Sequence, residues 1–149
     1  MANVNQKMVA QEKEVFMYVA EDATYASGNQ AIFRASDFVG ATAVDGAENQ
    51  TIFRFWPQDK TKMAQSAGDP TYDTFTLTHT NNAHVEVMKG VAGIMTNPHG
   101  GFFVIQDDLG TTQSADGSTN VHPHTDVIFP NIASTGTAVS VSAVVVATI

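Results

Sequence analysis

With 149 residues and 43% hydrophobic side chains, the chain is long enough for one packed core and too short for two comfortable ones. It has no cysteine, which excludes disulfide frameworks, thiolate metal sites and thiol nucleophiles. Charge is sparse at 15% and acidic, with a net charge of -8; seven Lys and Arg do not make a phosphate-tracking surface, so nucleic-acid binding and attraction to anionic lipid are both disfavoured.

The first twenty residues, MANVNQKMVAQEKEVFMYVA, hold no apolar run flanked by basic charge and no cleavage site. No secretory signal is expected, and the chain is expected to be made and to fold in a cytoplasm. Residues 1–12 read as a flexible polar segment ahead of a single domain at 13–149. Val15-Phe16-Met17-Tyr18-Val19-Ala20 is strand-like, and Glu21–Asn29 is loop-rich. Two near-identical pentads follow, Gln30-Ala31-Ile32-Phe33-Arg34 and Gln50-Thr51-Ile52-Phe53-Arg54. They read as two strands of similar burial, with an internal duplication as the other account. Ser36–Gly40 is expected to be a turn with an apolar anchor, and Asp45-Gly46 signals another turn. Thr51–Trp56 carries bulk on both faces, as would a strand covered by the core on one face and by a partner on the other, or, more economically, a strand in the middle of a sandwich. Pro57–Pro70 reads as an exposed loop.

Tyr72–Asp108 is the clearest stretch. Phe75 and Leu77 alternate with Thr74, Thr76 and Thr78 as in a half-buried strand. Asn81 and Asn82 offer side-chain caps to a helix over Asn82–Asn97, whose apolar face is Ala83, Val87, Val91, Ile94 and Met95. Asn97-Pro98 ends it, and His99-Gly100-Gly101 turns the chain into Phe102–Ile105, which reads as a buried strand. Leu109–Asn120 is a second polar loop, and Thr125–Phe129 a further strand. In Thr137–Ile149 one face holds Val139, Val141, Ala143, Val145, Ala147 and Ile149, and the other Ser140, Ser142, Val144 and Val146. With no charge and no proline, this strand is expected to lie centrally in a sheet or to have its edge covered by another subunit. Its apolar run is too short to span a bilayer. The expected architecture is α+β: a mainly antiparallel sheet or sandwich with one principal helix packed on it.

Candidate chemistry is thin. His122 and His124, with His99, could hold a metal alongside Asp107, Asp108 or Asp126, but Pro123 spoils a regular strand and ordinary hydrogen-bonded loop histidines explain the pattern as well. His79 and His84 are fixed to nothing by spacing. Asp107-Asp108 with Asp116 fit no compact calcium loop. Gly90 and Gly93 inside a helix each cost roughly 1 kcal/mol against alanine, so a close approach is expected there. They do not form a phosphate loop, and His99-Gly100-Gly101 lacks a nucleophile elbow to serve. No activated nucleophile, paired acids or cofactor fingerprint is legible, so an enzyme is not expected and no cofactor is called for.

The string THTNNAHVEVMKGVAGIMTNPHGGFFVIQDD is similar to a recurrent segment of small virion-associated proteins of marine tailed bacteriophages, cyanophages among them. The likeness is carried by Thr78, Asn82, His84, Val87, Met88, Pro98, His99, Gly101, Phe102, Val104, Ile105, Asp107 and Asp108. Tyr18-Val19-Ala20, Asp37–Gly40 and Ile52–Phe55 fit upstream in order, and nothing fits after Asp116. The resemblance implies a phage structural component and carries no catalytic residues. Taken with the low charge, the absence of cysteine, the long polar loops and the Val-rich terminal strand, it leads to the expectation of a non-enzymatic capsid decoration or cement protein that binds the major capsid protein or other virion proteins as a homo-oligomer and resides in the virion. A tail-tube or tail-associated subunit is the alternative among structural proteins. A metal- or sugar-binding module using His99, His122 and His124 is the alternative of another class. The contact residues expected are Val4 and Met8 at the N-terminus and Val139, Val141, Val145 and Ile149 at the C-terminus.

Overall fold

The structure, a computed structural model, describes residues 13–21, 30–59, 72–107, 125–129 and 139–148. It contains β1 (Val15–Ala20), β2 (Gln30–Arg34), a 3-10 turn (Ala35–Asp37), β3 (Phe38–Ala43), β4 (Gln50–Phe55), β5 (Asp73–His79), helix α1 (His84–Met95), β6 (Gly101–Asp107) and β7 (Val141–Ala147). The strands form two sheets, ordered β2-β1-β6 and β3-β4-β5-β7. Every pairing is antiparallel except β1 with β6, which is parallel. The chain is thus α+β, mainly antiparallel, with one α-helix among the described residues.

Alternation along the strands builds the interior. Thr51, Phe53 and Phe55 of β4 and Phe75 and Leu77 of β5 point inward. Phe53 and Phe75 are cross-strand partners, stacked with ring centroids 4.9 Å apart. Phe33 of the other sheet closes the stack, 4.8 Å from Phe55 and 5.1 Å from Phe75. Val15, Met17 and Val19 from β1, Ile105 from β6, and Val144 and Val146 from β7 complete a sandwich core. Each such side chain contributes roughly 1.5–3 kcal/mol by leaving water. The two pentads fall in different sheets, yet Phe33 and Phe53 both face inward. Both pentads are thus strands, as expected, each with one inward phenylalanine at the same place.

Helix α1 buries Val87, Gly90, Val91 and Ile94, with Met95 half-buried, on the face the sequence indicates. Its start differs from expectation. The N-cap is Ala83, with no side-chain cap bond, and the helix begins at His84 rather than Asn82. Asn82 instead takes a left-handed conformation, φ 61°, and its N–H donates to the Glu48 carbonyl. Asparagine is among the few side chains that tolerate this backbone, so its role is to turn the chain. Of the two helical glycines only Gly90 makes a close approach: a Cβ there would lie 2.7 Å from Phe129 and 2.9 Å from Val127. At Gly93 a Cβ would meet nothing within 4 Å.

Further corrections concern strands. Ser36–Gly40 is split between the 3-10 turn and β3, so it starts a strand. Residues 125–129 join no sheet; Asp126 and Thr125 bond to the margin of β6 instead. Phe102–Ile105 is not buried on both faces: Ile105 points inward and is buried, whereas Phe102 lies on the outer sheet face beside Phe16 and is 56% exposed; β6 is also an edge strand. β7 is also an edge strand, not a central one, and Val144 and Val146 form its buried side. A shift in register beside Thr78 and His79 breaks the expected even alternation, turning Val141 partly inward.

Candidate functional site

Three polar side chains meet inside the molecule where β4, β5 and α1 converge. Thr51 Oγ1 lies 2.8 Å from His79 Nε2 and 2.9 Å from His84 Nδ1, and His79 Nδ1 lies 2.8 Å from the Thr80 carbonyl. A carbonyl accepts only, so His79 Nδ1 carries a proton and its neutral ring accepts at Nε2 from the Thr51 hydroxyl. Thr51 Oγ1 in turn accepts from His84 Nδ1–H. The imidazoles stand edge to face, 4.9 Å apart. Burial pushes the His79 pKa below its usual value, and His84 adds to this; the Thr80 hydrogen bond and Glu86 oppose it. Hydroxyl and imidazole are the parts of a nucleophile and base, but Thr51 and His79 are both buried. Their chemistry here is to tie the helix start to two strands, with every proton accounted for.

The outer face of the three-stranded sheet is different in kind. Register sets Arg34, Phe16 and Phe102 in one row across β2, β1 and β6, and Ile32, Tyr18 and Val104 in the next. Phe16 is 39%, Ile32 43% and Phe102 56% exposed. The Tyr18 and Phe102 rings lie 5.9 Å apart. Beside these rows opens a hollow of about 580 Å³ lined by Tyr18, Gln30, Ile32, Gln58, Asp59 and Asp73, among others. Its polar side is ordered: Tyr18 Oη donates to Gln30 Oε1 at 3.0 Å, Gln58 N–H to Asp73 Oδ2 at 3.1 Å, and Gln58 Nε2 to the Ile32 carbonyl. The Arg34–Asp37 ion pair, at 2.9 Å, borders the face. Large apolar side chains massed on one face, with charge at its border, suit a partner with an apolar centre.

The residues singled out from sequence are scattered. His99 is exposed in the turn before β6, its N–H held by Asn97 Oδ1 at 3.0 Å. His122, His124, Asp108 and Asp116 lie outside the described residues. Asp107 ends β6. Asp126 is not an idle oxygen ligand, since its Oδ2 accepts the Val104 N–H at 2.7 Å. Among the described residues no three His, Asp or Glu side chains gather as a metal group, and no helix is long and apolar enough to cross a membrane. Of the expected contact residues, Val145 is 54% exposed, while Val139 and Val141 pack against the core. Val4, Met8 and Ile149 lie outside the described residues.

Sequence reasoning missed both the aromatic face and the buried polar cluster. Phe16, Tyr18 and Phe102 fall in runs that are apolar at nearly every position, so periodicity does not tell the two faces apart. Only the parallel pairing of β1 with β6 brings Phe16 and Phe102 side by side. Compared with known proteins, the chain matches no family model, no curated protein and no solved structure.

Proposed function

We propose that the chain is a non-enzymatic structural protein of a bacteriophage virion, a decoration protein that binds the major capsid shell as an oligomer. The observation that carries this reading is the patch formed by Phe16 and Phe102 in one row and Ile32 in the next, bulky apolar groups exposed together on one sheet face. A surface of this kind gains free energy when another protein covers it. The likeness to phage virion proteins over Thr76–Asp108 supplies the setting, and the acidic, charge-poor composition suits packing in an assembly. The test is quantitative mass spectrometry of purified particles of the encoding phage. A copy number equal to the major capsid protein, or a simple fraction of it, is expected. A number matching stacked tail rings would move the protein to the tail, and absence from particles would end the reading.

The hollow beside Tyr18 favours a second reading, a saccharide-binding module. Sugar rings stack on aromatic faces, and Gln30, Gln58 and Asp59 offer donors and acceptors for hydroxyl groups. A glycan array with wild type and Tyr18→Ala distinguishes it: loss of a glycan signal in the variant would support it, and an empty array would remove it.

A further inference from the structure

Four strands end the two sheets, and among the described residues three of those edges carry hydrogen bonds from elsewhere in the chain. On β6, Val104 N–H donates to Asp126 Oδ2 at 2.7 Å, and the Val104 carbonyl accepts from Asp126 N–H at 2.8 Å. On β7, Val146 N–H donates to Glu21 Oε2 at 3.3 Å. On β2, the Ile32 carbonyl accepts from Gln58 Nε2. These caps are how soluble proteins keep sheet edges from pairing with other chains. β3 pairs with β4 alone, and no such cap covers its other side among the described residues.

The register says which groups are left over. Val44 N–H donates to the Gln50 carbonyl at 3.0 Å, and the ladder continues through Thr42 opposite Ile52 and Gly40 opposite Arg54. In an antiparallel ladder alternate residues bond across, so Ala41 and Ala43 direct their N–H and C=O groups away from β4. The side chains there are small. Thr42 and Ala43 are exposed, and a Cβ on Gly40 would meet nothing within 4 Å. Phe38–Ala43 also holds no ionisable group. That matters for choosing the occupant, because across a two-fold axis the same strand meets itself, residue i on j and j on i, and any charge it carried would be present on both sides. In a chain of net charge -8, an uncharged strand lets two copies meet without opposing like charges. β7 is uncharged as well, but Glu21 already holds its Val146 N–H.

We propose that two copies of this chain pair their β3 strands antiparallel, joining the two four-stranded sheets into one continuous sheet across the dimer. The proposal deepens the oligomer part of the preceding reading and is tested without particles, so the two fail separately. The experiment is sedimentation equilibrium of the full chain over a dilution series, with residue-level hydrogen exchange. Wild type is expected to dimerise, with the Ala41 and Ala43 amides protected and that protection lost on dilution. Ala43→Pro removes an outward donor in each copy and is expected to raise the dimer Kd about 30-fold. Ala43→Lys puts a cation on the pairing edge of each copy and is expected to weaken the dimer without touching any described hydrogen bond. It decides the matter if the proline variant misfolds by circular dichroism. Ala147→Lys, exposed on β7, is expected to leave Kd unchanged. A monomeric wild type with unprotected Ala41 and Ala43 would overturn the proposal. So would a dimer insensitive to both Ala43 variants, or protection that arises only when purified shell is added, which would give the edge to a different protein's strand.

Discussion

The outward faces of the two sheets follow the same alternation and differ in chemistry, aromatic on one and rich in threonine on the other. The three-stranded sheet turns Phe16, Tyr18, Ile32 and Phe102 outward. The four-stranded sheet turns out Thr74, Thr76 and Thr78, opposite Arg54, Ile52 and Gln50 on one side and Ala147, Val145 and Ala143 on the other. Threonine is β-branched and suits a strand, yet it leaves a surface that water wets. Both faces rest on one interior, so the fold demands neither chemistry on its outside. The aromatic face is therefore the one that calls for a function.

The comparison breaks most completely if the shared interior is removed. Phe75→Ala is expected to cost about 3–5 kcal/mol in chemical denaturation, since the ring contacts Phe33, Phe53 and Phe55. Both faces should then be lost together; an intact aromatic face in this variant would mean the sheets are independent. Next in size, Phe16→Glu with Phe102→Glu is expected to lower retention on purified shells by at least about 30-fold, while circular dichroism is unchanged. Thr76→Glu, on the other face, should alter retention less than about twofold. The reverse result would exchange the roles of the two faces.

Thr51→Val tests what lies beneath the threonine face. It leaves two imidazole nitrogens without their hydroxyl partner and is expected to cost about 1–3 kcal/mol. The same cluster sets a pH dependence. His79 in the folded chain takes up a proton only below its usual value of about 6.5, so the unfolded state binds more protons there. Stability should be full above about pH 6.5 and fall as pH drops below it, towards the folded pKa. Thermal melts of wild type against His79→Gln check this; equal slopes would assign the effect elsewhere. The smallest change is Gly93→Ala, expected to stabilise by about 1 kcal/mol because the new methyl meets nothing and only helix propensity changes.

Much of the frame was legible in the sequence. Phe75 and Leu77 between threonines gave β5, Val87, Val91 and Ile94 gave the buried side of α1, and Asp45-Gly46 gave the β3–β4 turn. What failed did so for physical reasons. Asn81-Asn82 has the composition of a helix cap, but Asn82 spends it on a left-handed turn. Phe102–Ile105 and Val141–Ala147 have the composition of central strands, and their positions at sheet edges depend on pairings made far away in sequence. The candidate site suffered most from this, since Phe16 and Phe102 become neighbours only through such a pairing. The cluster of Thr51, His79 and His84 likewise joins three elements that no local spacing connects.

That pairing of β1 with β6 bears on how the chain is made. β1 is the middle strand of its sheet, yet its parallel partner begins at Gly101. On the ribosome, at roughly 5–20 residues per second, Phe16 and Met17 wait several seconds for Phe102 and Phe103 to be synthesised. Until then β1 offers an uncharged strand with one open side, at the stage when nascent chains aggregate most readily. The four-stranded sheet waits longer still for β7, the last strand described. Folding should thus lag well behind synthesis of β1 and be sensitive to chaperone supply, so heterologous expression is expected to yield more soluble protein at lower temperature, where unfinished chains encounter one another less often.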